Sequence, residues 1–257
     1  MPVNKYLIPA FTTPVDPATF GLKPVQFITE AMGLEEHKRL AKIAARKLQD
    51  GPILLNCENY PDNNKASKEL LETVRTTRDA AARGEGGTLD ISMYLPSANV
   101  RPFEGAGQTP GASVDRLDEI KRCRREMEVS GTHLGTHITL DAWQPYHRDG
   151  HGICFAGLSP METWRLMMLQ RICVAEETRL PVRAVFGIFM LPNGAKVDIE
   201  PKIPIDDIIE QTRFLTRRGV EPIFMAGWSG VRYEKTKQGR LPFTSEDRRY
   251  IEAFAKA

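Results

Sequence analysis

Five times along the chain an amphipathic stretch of helical length runs through a short turn into an apolar stretch of strand length with a polar end. No other feature of the sequence restricts the fold so tightly. "LEEHKRLAKIAARKLQD" sets Leu34, Leu40, Ile43, Ala44 and Leu48 near helical spacing and leads into "GPILLNCENYP". "SKELLETVRTTRDAAARGEGG", opening on Ser67 as a candidate cap, leads into "TLDISMYLP". "SVDRLDEIKRCRREMEVSG" leads into "THITLDAWQPY", "SPMETWRLMMLQRICVAEETRLP" into "VRAVFGIFMLP", and "PIDDIIEQTRFLTRRG" into "VEPIFMAGWSG". Strands that alternate with helices of this length pair in parallel through right-handed crossovers, in an open doubly wound sheet or a closed barrel.

No strand is followed by G-x-G-x-x-G or G-x-x-x-x-G-K-[ST], so the common phosphate-binding reasons for an open sheet are missing. The expectation is therefore an α/β fold, a single TIM-barrel-like (β/α) barrel spanning residues 1–257 as one domain. "KYLIPAF" and "PVQFIT" bring the strand count to seven, which makes an eighth short, irregular or absent, and the barrel irregular or incomplete. A length of 257 residues suits one such domain, and a hydrophobic share of 41% with a charged share of 26% is ordinary for a globular protein.

Lys and Arg number 35 against 33 for Asp and Glu, and the densest basic cluster is the short "KRCRRE", so no nucleic-acid partner is expected. The four cysteines, Cys57, Cys123, Cys154 and Cys173, are far apart and form no C-x-x-C pair, which argues against a zinc ribbon or a thioredoxin-type site. The N-terminal "MPVNKYLIPAF" lacks a basic region followed by an apolar one, and no apolar run approaches the roughly 18 residues of a spanning helix. A soluble protein with no membrane partner is expected, cytoplasmic, released by an unconventional route, or carried as a virion component.

The longest Gly- and Pro-rich segments, residues 96–113, 144–160 and 191–204, each follow a strand, whereas the helix-to-strand turns are short. Barrel enzymes build their sites on the loops after strand carboxyl ends, so the asymmetry marks a ligand face. Residues two apart in a strand share a side, which groups Asn56 with Glu58, Asp90 with Ser92 and Tyr94, and Thr139 with Asp141 and Trp143. Three consecutive strands thus offer a carboxylate. Such a set suits hydrolysis of a glycosidic bond, in which one acid protonates the leaving oxygen and a second group attacks or stabilises the anomeric carbon. Tyr60, Tyr94, Trp143, Tyr146 and Trp228 fall at or just beyond strand ends, where flat rings could stack on sugar faces. Read structurally instead, Asp90 and Asp141 would be strand-end caps or ion-pair partners, and the rings core filler.

The order "GPILLNCENYP", "DISMYLP", "HITLDAWQPY", "RAVFGIFMLP" and "IFMAGWSG" over roughly residues 50–230 resembles the glycoside-hydrolase-type TIM barrels related to hyaluronidases. The resemblance implies that Glu58 is the proton donor and that Tyr94, Trp143 and Trp228 line a sugar groove. Asn56 stands where that family carries an acid that orients an acetamido group. An amide there can still hydrogen-bond but brings no negative charge, so either Asp90 or Asp141 partners Glu58, or activity is weak or lost. The resulting expectation is a glycosidase with Glu58, Asp141 and Asp90 as catalytic candidates, Asn56, Tyr60, Tyr94, Trp143, Tyr146 and Trp228 as substrate-binding ones, and no cofactor. The alternative from another class is a catalytically inert carbohydrate-binding or structural barrel.

His133 and His137 are four apart, as are His147 and His151, and with Asp141 the first pair offers a second enzymatic alternative, a metal-dependent hydrolase. Four residues of strand span about 13 Å, however, and neither H-E-x-x-H nor an EF-hand loop is present, so solvated loop histidines are the simpler reading. "GWSG" at 227–230 lacks the full G-x-S-x-G of a serine elbow.

Overall fold

Alternate residues of the apolar stretches supply two different cores, one inside a ring of strands and one between that ring and its helices. The computed structural model describes residues 3–29, 52–56, 91–95, 136–142, 157–176, 179–188, 202–229 and 239–257. The strands are β1 (Tyr6–Pro9), β2 (Lys23–Pro24), β3 (Gln26–Thr29), β4 (Ile53–Asn56), β5 (Ile91–Leu95), β6 (His137–Asp141), β7 (Val182–Gly187) and β8 (Glu221–Ala226). The helices are α1 (Pro160–Glu176), α2 (Ile205–Thr216) and α3 (Ser245–Lys256). Helices expected within 34–50, 67–87 and 113–131 lie outside the described residues.

All pairings between these strands are parallel, and the ladder runs β2-β1-β8-β7-β6-β5-β4-β3. Its two end members are consecutive in the chain, separated by Val25 alone. β2 pairs with β1 and β3 with β4, so residues 23–29 form one interrupted stave that meets β1 at its start and β4 at its end. The ends of the ladder are therefore joined through the backbone at Val25, without a hydrogen-bonded pair between β2 and β3. Lys23 N–H donates to Lys5 C=O of the β1 side at 3.1 Å, and Gln26 N–H to Pro52 C=O of the β4 side at 3.0 Å. By this alternation the donor that Pro24 lacks would face the β4 side below the first paired residue, Ile53, where no ladder bond is lost. The seven strands expected from the sequence are the seven staves, and the irregular element is the two-residue β2.

The inner core gathers Tyr6 and Ile8 of β1, Val25, Leu54 of β4, Val185 of β7, and Ile223 and Met225 of β8. The intervening residues Leu7, Ile53, Ala184, Phe186, Phe224 and Ala226 belong to the outer core, with Trp164, Met168, Ile208, Phe214, Ile251 and Phe254 from the helices. Burial on both faces is why these strands read as nearly unbroken apolar runs. Phe254 of α3 stacks on Phe224 with centroids 4.9 Å apart and meets Phe186 edge-on at 5.9 Å.

Local chemistry sets the helix ends. Asp206 and Asp207 in the first turn of α2 and Arg213 in its last complement the helix dipole. Gly219, at φ 71°, turns the chain from α2 into β8 within residues 217–220. At α3, Thr244 and Asp247 form a reciprocal capping box, with Asp247 Oδ2 accepting from Thr244 N–H at 2.9 Å and Thr244 Oγ1 accepting from Asp247 N–H at 3.2 Å. Lys5 Nζ donates to Ala255 C=O at 2.8 Å and so ties the end of α3 to the start of β1. Among the described residues no helix is long and apolar enough to cross a membrane.

Candidate functional site

The barrel interior is layered along its axis, and the layering decides which end can hold a ligand. At the amino-terminal end is a polar floor. Arg183, 1% exposed, donates through Nε to Glu221 Oε2 at 2.9 Å and through Nη2 to the Tyr6 hydroxyl at 3.3 Å. Glu221 also accepts from Tyr6 at 3.1 Å and from Asn4 Nδ2 at 2.9 Å. Burial pushes the Tyr6 phenol up to about 12; Arg183 opposes the shift and Glu221 adds to it. Beside this group the buried hydroxyls of Ser92 and Thr139 contact each other. Above the floor lies the apolar inner core. A filled interior leaves the carboxyl-terminal rim as the place for a ligand.

Four sequence candidates have a described place at that rim. Asn56 is the last residue of β4 and the register partner of Tyr94, the penultimate residue of β5. Tyr94 is in turn the partner of Thr139, and Asp141, the last residue of β6, is the partner of Val185. Three adjacent strands therefore bring Asn56, Tyr94 and Asp141 to the same end of the sheet. Trp228, two residues beyond β8, is half-buried and packs against the inner core from above. Glu58, Tyr60, Asp90, Trp143 and Tyr146 lie outside the described residues. So do His133, His147, His151, Cys57, Cys123 and Cys154, while Cys173 is exposed and unpaired.

The backbone just after Asp141 is held on two sides. Ala142 N–H donates to Val185 C=O at 2.8 Å, and Ala142 C=O accepts from the buried indole Nε1–H of Trp164 at 2.8 Å. Trp164 comes from the first turns of α1, whose start is fixed by Ser159 and Glu162. The Glu162 carboxylate accepts from the Ser159 N–H at 2.8 Å and from its hydroxyl at 2.7 Å, which lowers the Glu162 pKa. A helix side chain thus anchors the strand end that carries Asp141. Sequence reading had Trp164 only as part of a helix, because a bond between residues 22 apart leaves no periodic trace.

The end of β8 is built by a close approach. Gly227 has φ 79°, and a Cβ on it would lie 2.3 Å from Phe11 Cδ1. Beyond it, residues 227–229 return against 239–241: Ser229 N–H donates to Gly239 C=O and Leu241 N–H to Gly227 C=O, both at 2.9 Å. Thr12 N–H donates to Leu241 C=O at 2.9 Å, so this ribbon is also laid alongside the exit of β1. Residues 227–229 of "GWSG" accordingly start an antiparallel ribbon with 239–241, and Ser229 is fully buried.

His137 opens β6 and Asp141 ends it, so about 13 Å of strand separates them and they cannot share one ion. His137 Nδ1 is bonded to Thr136 Oγ1 at 2.8 Å. Among the described residues no group of three His, Cys, Asp or Glu is arranged to hold a metal. The metal-dependent alternative loses its geometry on this strand.

No family model matches the chain, and no curated protein matches it. Solved structures with a similar course include a glucosidase from Croceicoccus marinus at 12% identity and TM-score 0.49, covering 93% of this chain and 50% of that one. A GH5-4 broad-specificity endoglucanase from an uncultured bacterium is 11% identical with TM-score 0.48, covering 98% and 80%. A D-allulose 3-epimerase from Methylomonas sp. is 8% identical with TM-score 0.42, covering 100% and 97%. The chain spans half the length of the Croceicoccus glucosidase. None of these three structures is a hyaluronidase, and proteins of one fold carry unrelated chemistries. The class that the strand ladder defines is a parallel α/β barrel of TIM type, irregular at Val25.

Proposed function

We propose that the chain is a glycoside hydrolase acting on an oligo- or polysaccharide as a single barrel domain, with Glu58 as general acid and Asp141 as the second carboxylate. The observation that carries the reading is that Asn56, Tyr94 and Asp141 stand at the carboxyl ends of three adjacent strands, at the end of the barrel where Trp228 packs over the filled interior. Glu58 follows Asn56, the last residue of β4, by two residues in the chain. Asp90 instead immediately precedes Ile91, with which β5 begins, whereas Asp141 ends β6. Asp141 is therefore the preferred partner of Glu58. Its strand end is fixed through Ala142 and Trp164, the kind of support that holds a reacting carboxylate in place. In this reading Trp228, Trp143, Tyr94, Tyr60 and Tyr146 stack on sugar rings, and Asn56 hydrogen-bonds a ring substituent.

The chemistry requires Glu58 to protonate the leaving oxygen while Asp141 either attacks the anomeric carbon or activates a water on the opposite face. Asn56 also favours a second reading, a barrel that binds saccharide without cleaving it, since an amide supplies no charge to a developing cation. Hydrolysis of a glycan panel by wild type, Glu58→Gln and Asp141→Asn, followed by sugar chromatography, separates the two. A hydrolase loses at least about a hundredfold in rate in each variant while retaining saccharide binding. Saccharide binding with no turnover by wild type would replace the hydrolase with the binding barrel.

A further inference from the structure

We propose that Trp164 is a positioning residue of this reaction: itself buried away from any substrate, it holds through Ala142 the strand end from which Asp141 acts. The inference rests on the hydrolase reading of the rim and deepens it. A buried indole must find an acceptor for its N–H, and any free carbonyl of the outer core would serve. Trp164, 0% exposed, donates to Ala142 C=O at 2.8 Å, one residue beyond the end of β6. A carbonyl shares its plane with the N–H of the next residue. The bond therefore orients the peptide unit that joins Ala142 to Trp143. Ala142 N–H, donating to Val185 C=O at 2.8 Å, orients the unit that joins Asp141 to Ala142. The two peptide planes on the exit side of Asp141 are thus both fixed.

The exits of the next two strands are held differently. Ile188 C=O, just after β7, accepts from Ile203 N–H at 2.7 Å, and Ala226 C=O, ending β8, accepts from Ala10 N–H at 2.7 Å. Both are backbone bonds, which a change of side chain leaves in place. Of these three exits only that of β6 depends on a side chain, and that side chain is itself firmly set. Its ring meets Phe214 of α2 edge-on at 5.3 Å, Thr163 N–H beside it donates to Ser159 C=O at 3.0 Å, and the Ser159–Glu162 pair closes the start of α1. Ala142 is fully buried, so bulk water cannot stand in for a lost indole. Without the donor the peptide must turn to find another partner, and a shift of about 1 Å at a reacting group costs about a hundredfold in rate.

The test is steady-state hydrolysis of cellohexaose, laminarihexaose and chitohexaose by wild type, Trp164→Phe, Asp141→Asn, the double variant and Phe254→Leu. Trp164→Phe keeps a ring against Phe214 and removes the N–H; should it not fold, 3-benzothienylalanine at position 164 keeps the indole shape without the donor. Phe254→Leu loosens the outer core near the end of α3 and is the control for lowered stability, read from urea midpoints. The expected result is a kcat at least about tenfold lower in Trp164→Phe with KM within about twofold, as for an interaction realised in the transition state. Phe254→Leu lowers the urea midpoint and leaves kcat within about twofold. On the residual activity of Asp141→Asn, adding Trp164→Phe removes less than about a further twofold, because residues that act as a unit are not additive. An unchanged kcat in Trp164→Phe while Asp141→Asn is disabled, an equal loss in Phe254→Leu, or the same loss in both backgrounds overturns the inference and leaves the hydrolase reading standing. Cleavage of no probe by wild type removes the hydrolase reading, full activity in Asp141→Asn removes the role of that residue, and the inference falls with either.

Discussion

Replacing Gly227 by Ala tests whether the exit of β8 is fixed by its approach to Phe11. The new Cβ would stand 2.3, 2.4 and 2.7 Å from Phe11 Cδ1, Cε1 and Cγ, where ordinary contact begins at 3.4 Å. The ring must therefore retreat by about 1.1 Å at its nearest atom, the difference between 3.4 and 2.3. It has little room: Phe11 is 3% exposed and meets Phe243 edge-on at 5.0 Å. Forcing a side chain into the core costs about 1–3 kcal/mol, and an Ala at the observed positive φ adds about 1–2 kcal/mol. The sum, about 2–5 kcal/mol, is a large part of the stability of an ordinary domain. Equilibrium urea unfolding followed by tryptophan emission measures it. Phe11→Ala alone should cost about 3–5 kcal/mol through the cavity it leaves. The double variant relieves the collision but not the backbone strain, so it should fall short of additivity by about 1–3 kcal/mol. A cost below about 1 kcal/mol for Gly227→Ala, or additivity within about 0.5 kcal/mol in the double variant, refutes the reasoning.

Arg183→Met should destabilise by about 3–5 kcal/mol, because Glu221 is left in the barrel floor without its cation, whereas Arg183→Met with Glu221→Leu should recover much of that loss; urea midpoints of the set decide it. The Tyr6 phenol, raised to about 12 in the folded chain, makes stability fall as pH rises from the unfolded value of 10.0 through about 12. Tyr6→Phe should flatten that part of the pH profile, and an unchanged slope would exclude Tyr6 as its source. Thr244→Ala removes half of the capping box of α3 and should cost about 1 kcal/mol in thermal or urea unfolding, while Thr244→Ser should cost only a few tenths.

The fold class was legible because repeated helix-to-strand alternation leaves few architectures, and because strands buried on both faces read as unbroken apolar runs. "VRAVFG" and "EPIFMA" are both such runs, and both are strands. The long loops after strands and the short turns before them mark the strand carboxyl ends as the expected ligand face, and most of those loops lie outside the described residues. The helix α3 was not anticipated, although its capping signal, Thr244 followed three residues later by Asp247, was present in the chain. It follows a long segment rather than a strand directly, and so fell outside the alternation used to find the others. The site was only partly legible: strand ends placed Asn56, Tyr94, Asp141 and Trp228 at one rim, but their partners are distant in sequence.

Periodicity in the sequence alone determined a parallel α/β barrel, and loop length marked the strand carboxyl ends as the expected ligand face, because side-chain alternation and chain reach are local properties. Only the tertiary structure decided that residues 23–29 serve as one stave for two neighbours, that Arg183, Glu221 and Tyr6 form a floor, that Trp164 pins the end of β6, and that Arg240 stands opposite Trp228. Each of these is a contact between residues that a sequence window cannot see together, or a register that depends on hydrogen bonds formed only when the ring assembles.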